Sequence, residues 1–79
     1  MESLLKEGLR KEVFLDRIEW RNHNGKLHRE SGPAVEYAKG TKEWWVDDKL
    51  HREDGPAVEY ANGDKEWWVD GKHIKTERA

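Results

Sequence analysis

Two consecutive blocks of equal length dominate this sequence, because residues 25–47 and residues 48–70 are nearly identical. They differ at only four paired positions, which are 25/48, 31/54, 39/62 and 41/64. Residues 19–24 resemble the end of an earlier copy, and residues 71–79 begin a further copy that diverges at once. A short repeat cannot bury its own hydrophobic face, so we expect the units to stack into one array with atypical ends.

Each block is predicted to form β-hairpins. Short alternating strands at Ala34–Tyr37 and Ala57–Tyr60 are followed by aromatic and β-branched runs such as Lys65–Val69. Asn62-Gly63 predicts a type I′ turn between two such strands, and Asp70-Gly71 predicts another, with Asp47-Asp48 at the matching place. The predicted fold is therefore mainly β, a meander of short antiparallel β-hairpins made of tandem 23-residue repeats over residues 19–79.

The N-terminal segment is predicted to be a short α-helix that caps the repeat domain. Leu5, Leu9 and Val13 lie four residues apart, and charged residues fill most of the positions between them. This spacing is typical of an amphipathic helix, so residues 1–18 are assigned to a helical cap. From Glu12 onward the pattern also fits a strand, and both interpretations remain open there.

The composition sets limits on the class of protein. Of the 79 residues, 41% are charged and 34% are hydrophobic, a balance that favours disorder. Five tryptophans favour a folded domain instead, because each aromatic ring can bury roughly 150–250 Å². The absence of cysteine excludes disulfides and thiolate metal sites. No apolar run approaches the roughly 20 residues of a membrane helix, so we expect a cytoplasmic protein without membrane contact.

The repeat resembles a known family. Three features that recur from one block to the next resemble the MORN repeat. They are Lys49-Leu50-His51, the turn Tyr60–Asp64 and the aromatic pair that follows this turn. Residues 52–56 and the Trp-Trp-Val run depart from its glycine-spaced pattern. The resemblance implies a β-hairpin repeat that serves as a binding scaffold. This variant is similar to repeat proteins of bacteria, phages and large DNA viruses. In so short a chain that similarity implies a phage-encoded inhibitor of a host defence protein, of the anti-CRISPR type, in the host cytoplasm.

The tryptophan pairs are the first candidate functional residues. Neighbouring strand residues point to opposite faces, so Trp44 and Trp67 lie on one side while Trp45 and Trp68 lie on the other. One interpretation is that both rows are buried, by stacked repeats and by the helix or a second chain. The other is that Trp45 and Trp68 form an exposed platform for a partner.

The His-Arg-Glu runs at residues 28–30 and 51–53 are the second candidate. Two histidines beside carboxylates are possible metal ligands, but the runs recur with the repeat, whereas metal sites are usually single and asymmetric. We therefore predict no metal, and expect these side chains to bond turn carbonyls or carboxylates of the adjacent repeat. Arg29 and Arg52 remain candidate partner contacts.

Acidic residues indicate the kind of partner. Residues 25–70 contain seven basic and eleven acidic residues, a net charge of −4. We expect this bias to suit a basic protein surface, such as the nucleic-acid channel of a host enzyme. The alternative is a solvated surface that only maintains solubility. Direct nucleic-acid binding is not expected without a basic groove. The candidate acidic contacts are Glu43, Glu66, Asp47 and Asp48.

No catalytic motif is present, so no enzymatic activity and no cofactor are expected. The preferred hypothesis is a non-enzymatic protein-binding module that occludes a functional surface of its partner. One alternative is a small-ligand or nucleotide binder, in which Trp45 and Trp68 sandwich a base and Arg29 and Arg52 meet phosphate. The other is a structural repeat that oligomerises, for example as a homodimer through its strand edges.

Overall fold

A computed structural model describes residues 8–79, and every regular element within that range is a β-strand. The predicted mainly β fold, with antiparallel hairpins following one another along the chain, is confirmed. The strands are β1 (Arg10–Val13), β2 (Arg17–Arg21), β3 (Val35–Tyr37), β4 (Lys42–Glu43), β5 (Trp45–Val46), β6 (Lys49–Leu50), β7 (Val58–Glu59), β8 (Lys65–Val69) and β9 (Lys72–Glu77).

Seven of these strands form one antiparallel sheet in the order β1-β2-β3-β4-β7-β8-β9. The remaining two, β5 and β6, pair only with each other. The small hairpin of β5 and β6 separates from the large sheet at Trp44. The backbone N–H of Trp44 donates to the Ala57 carbonyl, while the Trp44 carbonyl accepts from the backbone N–H of His51. The chain therefore leaves the large sheet after β4, forms a small hairpin and returns as β7 beside the strand it left.

The helix predicted over residues 1–18 is wrong in the part that the structure describes. Strand β1 occupies Arg10–Val13, and β2 begins at Arg17; residues 1–7 of the prediction lie outside the described range. A spacing of four residues is also a multiple of the two-residue strand period, so Leu9 and Val13 fit a strand as well as a helix. Gly8 has a φ of 72°, outside the right-handed helical region.

Two kinds of turn connect the strands. Asp47 and Asp48 both have positive φ, as do Asp70 and Gly71, as the predicted two-residue type I′ turns require. The same prediction for Asn62-Gly63 is wrong, because only Gly63 has a positive φ. The loop there is residues 61–63, closed by hydrogen bonds across it, and a glycine at the last position is typical of three-residue hairpin loops.

The core is small and its side chains come from both faces of the sheet. The buried hydrophobic residues are Leu9, Trp20, Ala34, Val35, Ala57 and Val58. The alanine and valine pairs occupy matching positions in the two sequence blocks. Trp20 is the one tryptophan of residues 8–79 that is buried, and the other four are half-buried. The sheet therefore leaves part of each tryptophan pair accessible.

Candidate functional site

The register of the central strands defines two faces of the sheet. Residues directly opposite one another share a face, and a row crosses the sheet in this order: Glu19, Val35, Glu43, Val58 and Glu66. We call this the front face. The back face carries the tryptophans that follow these glutamates in sequence, which are Trp20, Trp44 and Trp67.

Carboxylates on the front face fix the orientation of two indole rings. Trp45 lies two residues after Glu43, and its Nε1 donates to Glu43 Oε1 at 2.9 Å. Trp68 makes the same bond to Glu66 Oε1 at 2.9 Å. Tyr60 adds a bond from its hydroxyl to Glu66 Oε2 at 3.2 Å. Both indoles are therefore held in place by residues of the chain itself.

Trp45 and Trp68 line a common open groove of about 440 Å³. Leu50 contributes a further apolar side chain, and the tips of the two type I′ turns contribute Asp48 and Asp70. The remaining lining residues are Lys49 and Gly71. We call this the indole groove. An apolar lining bordered by carboxylates is suited to a side chain that is apolar along its length and basic at its end.

Hydrogen bonds hold the acidic turn that borders the groove. Asp48 Oδ1 accepts from the backbone N–H of Leu27 at 2.7 Å. Asp47 Oδ1 accepts from Asn22 Nδ2 at 2.8 Å. These bonds connect the turn to the preceding part of the chain, so Asp47 and Asp48, predicted as partner contacts, also have a structural use.

The histidines make the same contact in each of the two sequence blocks. His28 Nδ1 accepts from the backbone N–H of Asp47 at 3.2 Å, and His51 Nδ1 accepts from that of Asp70 at 2.9 Å. Each ring therefore supports the turn that lies 19 residues after it. Within residues 8–79 no group of three or more His, Asp or Glu side chains is arranged to hold a metal ion.

Arg29 and Arg52 lie away from the indole groove and pack against tryptophans of the back face. The Arg29 guanidinium lies 4.1 Å from the centre of the Trp20 ring, and that of Arg52 lies 3.9 Å from Trp44. Each guanidinium also donates to the backbone carbonyl four residues later. A carboxylate seven residues along the chain accepts as well, at 3.3 Å for Arg29 and 3.2 Å for Arg52. The bonds to carbonyls are of the predicted kind. The prediction of carboxylates from the adjacent repeat is wrong for both arginines, because Glu36 and Glu59 lie in the same sequence block as the arginine that each one bonds.

The two arginines line a second open groove, of about 640 Å³, between residues 29–32 and residues 51–54. This back groove includes Trp44 but neither Trp45 nor Trp68. The structure therefore does not bring together the residues of the predicted nucleotide arrangement. The base-stacking pair lies in one groove, and the phosphate-binding pair lies in the other.

Two ionisable side chains of the front face, Tyr60 and Glu19, have shifted pKa values. Burial raises the pKa of the Tyr60 hydroxyl, and the nearby Glu66 carboxylate raises it further. Burial also raises the pKa of Glu19, but hydrogen bonds from Arg17 and Arg21 outweigh it, and the net pKa lies below the usual value. Glu19 is thus bonded by arginines where Glu43 and Glu66 are bonded by indoles.

Four residues of the groove are not among the predicted site residues: Lys49, Leu50, Asp70 and Gly71. Asp70 was identified as a turn residue, and its match with Asp47 was the available signal for a second acidic tip. Leu50 becomes a groove residue because β5 and β6 pair apart from the large sheet, and no sequence pattern indicated that separation.

In the part of the chain that the structure describes, no helix has the length and apolar character needed to cross a membrane. Comparisons with family models, with curated proteins and with solved structures return no match. The resemblance to the MORN repeat therefore depends on the sequence motifs alone.

Proposed function

We propose that this chain is a non-enzymatic protein-binding module whose contact site is the indole groove. The observation that carries the proposal is the pair of half-buried indoles, Trp45 and Trp68, oriented by Glu43 and Glu66 beside Leu50. Tryptophan is enriched among the residues that dominate interface energies. A side chain already held in one orientation loses little conformational entropy when a partner binds.

The acidic bias of residues 25–70 supports a partner with a basic surface. That stretch has a net charge of −4, and Asp48 and Asp70 border the groove itself. Attraction between an acidic patch and a basic one increases the association rate and selects the partner. A protein that binds nucleic acid has a surface of this kind, and occluding it is the proposed mode of action.

The finer proposal is a phage-encoded inhibitor of a host defence protein, of the anti-CRISPR type. The MORN-like motifs support it. The structure adds a compatible surface, because the groove is open and bordered by carboxylates.

Affinity capture tests the proposal. The purified chain is used as bait in a bacterial lysate and compared with Trp45→Leu/Trp68→Leu. The matched control is Trp44→Leu/Trp67→Leu, which makes the same change in composition on the back face. We expect the control to retain a stoichiometric protein partner and the groove variant to lose it, provided that circular dichroism shows both to be folded. Equal capture by the two variants would remove the groove from the proposal.

The alternatives make different predictions. A nucleotide binder requires Trp45 and Trp68 to act together with Arg29 and Arg52, but the two tryptophans line the indole groove and the two arginines line the back groove. Titration with a panel of nucleotides, followed by tryptophan fluorescence, tests this alternative.

Oligomerisation through β9 is opposed by two features typical of protected edges. A register shift lies opposite β9 at Trp67/Trp68, and lysines lie along the strand. Light scattering over a range of concentrations measures the oligomeric state.

A further inference from the structure

We infer that an arginine side chain of the partner enters the indole groove. This inference rests on the proposed function, because it names the group that the groove recognises. The partner is thus expected to present a basic side chain from an exposed segment of its surface. Three observations carry it: where the chain places its own cations, which polar atoms the groove offers, and the shape of the groove.

The first observation is the distribution of cations over the tryptophans. Trp20, Trp44 and Trp67 each have an arginine or lysine of the chain over the ring, at 3.9–4.4 Å from the ring centre. Within residues 8–79 no such cation lies over Trp45 or Trp68. The back-face indoles are therefore already paired with cations, whereas the groove indoles are not. Of the two, Trp68 has an edge contact with His73, at 5.1 Å between ring centres. A cation from outside can therefore bind over the groove indoles without displacing a cation of the chain.

The second observation is that the groove offers acceptors rather than donors. The indole N–H groups of Trp45 and Trp68 are already bonded to Glu43 and Glu66. Asp48 and Asp70 are lining residues of the groove, and Lys49 is the one basic residue among them. One carboxylate oxygen of Asp48 already accepts from the Leu27 N–H, which leaves its second oxygen as an acceptor. A ligand with several N–H donors and a positive charge matches this set, whereas an anion does not.

The third observation concerns shape, and it favours arginine over lysine. The groove is an open depression of about 440 Å³ with two aromatic rings and a leucine along it. A guanidinium is planar and weakly hydrated, so it can stack on an indole while its edge donates to a carboxylate. The ammonium of lysine is a strongly hydrated point charge and cannot make both contacts in this way.

The test uses three peptides of equal length: hexa-arginine, hexa-lysine and hexa-citrulline. Citrulline keeps the planar, hydrogen-bonding shape of arginine without its charge. Tryptophan fluorescence of the intact chain is titrated with each peptide at low salt. We expect hexa-arginine to bind at least fivefold more tightly than hexa-lysine, and hexa-citrulline to bind tenfold more weakly or not at all. Equal binding of hexa-citrulline and hexa-arginine would overturn the inference.

Matched variants separate the groove from general charge attraction. Asp48→Asn/Asp70→Asn neutralises the groove carboxylates and keeps residues that tolerate positive φ. Glu53→Gln/Asp54→Asn makes the same change in net charge on the back groove. We expect the groove variant to bind hexa-arginine about fivefold more weakly than the control variant, in line with two partly exposed ion pairs. Equal weakening in both variants would show diffuse attraction and would refute the arginine site.

The two proposals fail in different ways. If the groove carboxylates prove irrelevant to hexa-arginine but Trp45→Leu/Trp68→Leu still abolishes capture of the partner, the arginine inference is wrong and the binding groove stands. If capture does not depend on the groove tryptophans at all, the proposed function is wrong in its site.

Discussion

Replacing Arg52 by alanine should destabilise the fold, because its guanidinium is an internal packing group rather than a free contact. It lies 3.9 Å from the centre of the Trp44 ring. It donates to the Pro56 carbonyl at 3.0 Å and to Glu59 at 3.2 Å. Its side chain is 23% exposed, so water screens these contacts only in part. The variant removes these three contacts together, and with them the bond from Arg52 Nε to the exposed Asp54 carboxylate at 3.1 Å, which contributes little.

The expected loss follows from these contacts. A partly desolvated cation–π pair contributes about 1 kcal/mol, and the two charge-assisted bonds contribute about another 1 kcal/mol together. Arg52→Ala should therefore lower the free energy of unfolding by about 2 kcal/mol. For a chain of this length that corresponds to a fall in melting temperature of about 8–16 °C. Arg52→Lys should lose about half as much, because Lys75 shows that a lysine can occupy the same place over Trp67.

Urea unfolding followed by circular dichroism measures both variants against the parent chain. The affinity for the captured partner is then measured for whichever variants remain folded. An unfolding free energy of Arg52→Ala that stays within about 0.5 kcal/mol of the parent value is typical of a surface substitution without structural contacts. That result, together with a large loss of partner affinity, would refute the reasoning. Arg52 would then be a partner contact, as the sequence alone predicts.

Three further changes test other parts of the fold. Gly63→Ala should lower the free energy of unfolding in urea by about 1 kcal/mol. Residue 63 has a φ of 97°, and the new Cβ would lie 3.0 Å from the Cβ of Ala79. An unchanged urea midpoint would contradict the turn assignment. The pKa of Glu19 is lowered in the folded chain, so its contribution to stability is present above about pH 4.5 and is lost as the pH falls through the folded value; Glu19→Gln should flatten the pH dependence of unfolding in that range. The pKa values of Tyr37 and Tyr60 are raised above 10.0, so both phenols should ionise at a higher pH than free tyrosine in an absorbance titration. The stability of the fold should then decrease as the pH rises above 10. Titration of both phenols at the pH of free tyrosine would contradict the burial of their hydroxyl groups.

Much of the β architecture could be predicted from local signals. The alternating residues of β3 and the aromatic run of β8 indicated strands, and Asp70-Gly71 indicated a two-residue turn, because these features depend on neighbours in sequence. The helix predicted over residues 1–18 was wrong in its described part, from residue 8 onward, because a four-residue spacing fits both periods. Pairing of β1 with β2, which the sequence did not reveal, decided between them. The Asn62-Gly63 turn was wrong because the same dipeptide also suits a three-residue loop.

The candidate site was predictable only in part, for a physical reason. Alternation placed Trp45 and Trp68 on one side of the strands, and in the structure both line the indole groove. Alternation could not show that Arg29 and Arg52 fold back onto tryptophans, since that contact joins a strand residue to a residue beyond the turn that follows the strand. Alternation does place Glu43 beside Trp45 and Glu66 beside Trp68, but it does not fix the side-chain rotamers that join each pair by a hydrogen bond. Side-chain pairing across a sheet depends on register, and register is set by the whole fold.

The most direct test of the central claim is an NMR titration that resolves the indole N–H signals of the five tryptophans. The labelled chain is mixed with hexa-arginine and then with the captured partner. We predict that the signals of Trp45 and Trp68 shift or broaden in both experiments, while those of Trp20, Trp44 and Trp67 change little. Larger changes at the back-face tryptophans than at Trp45 and Trp68 would contradict the account.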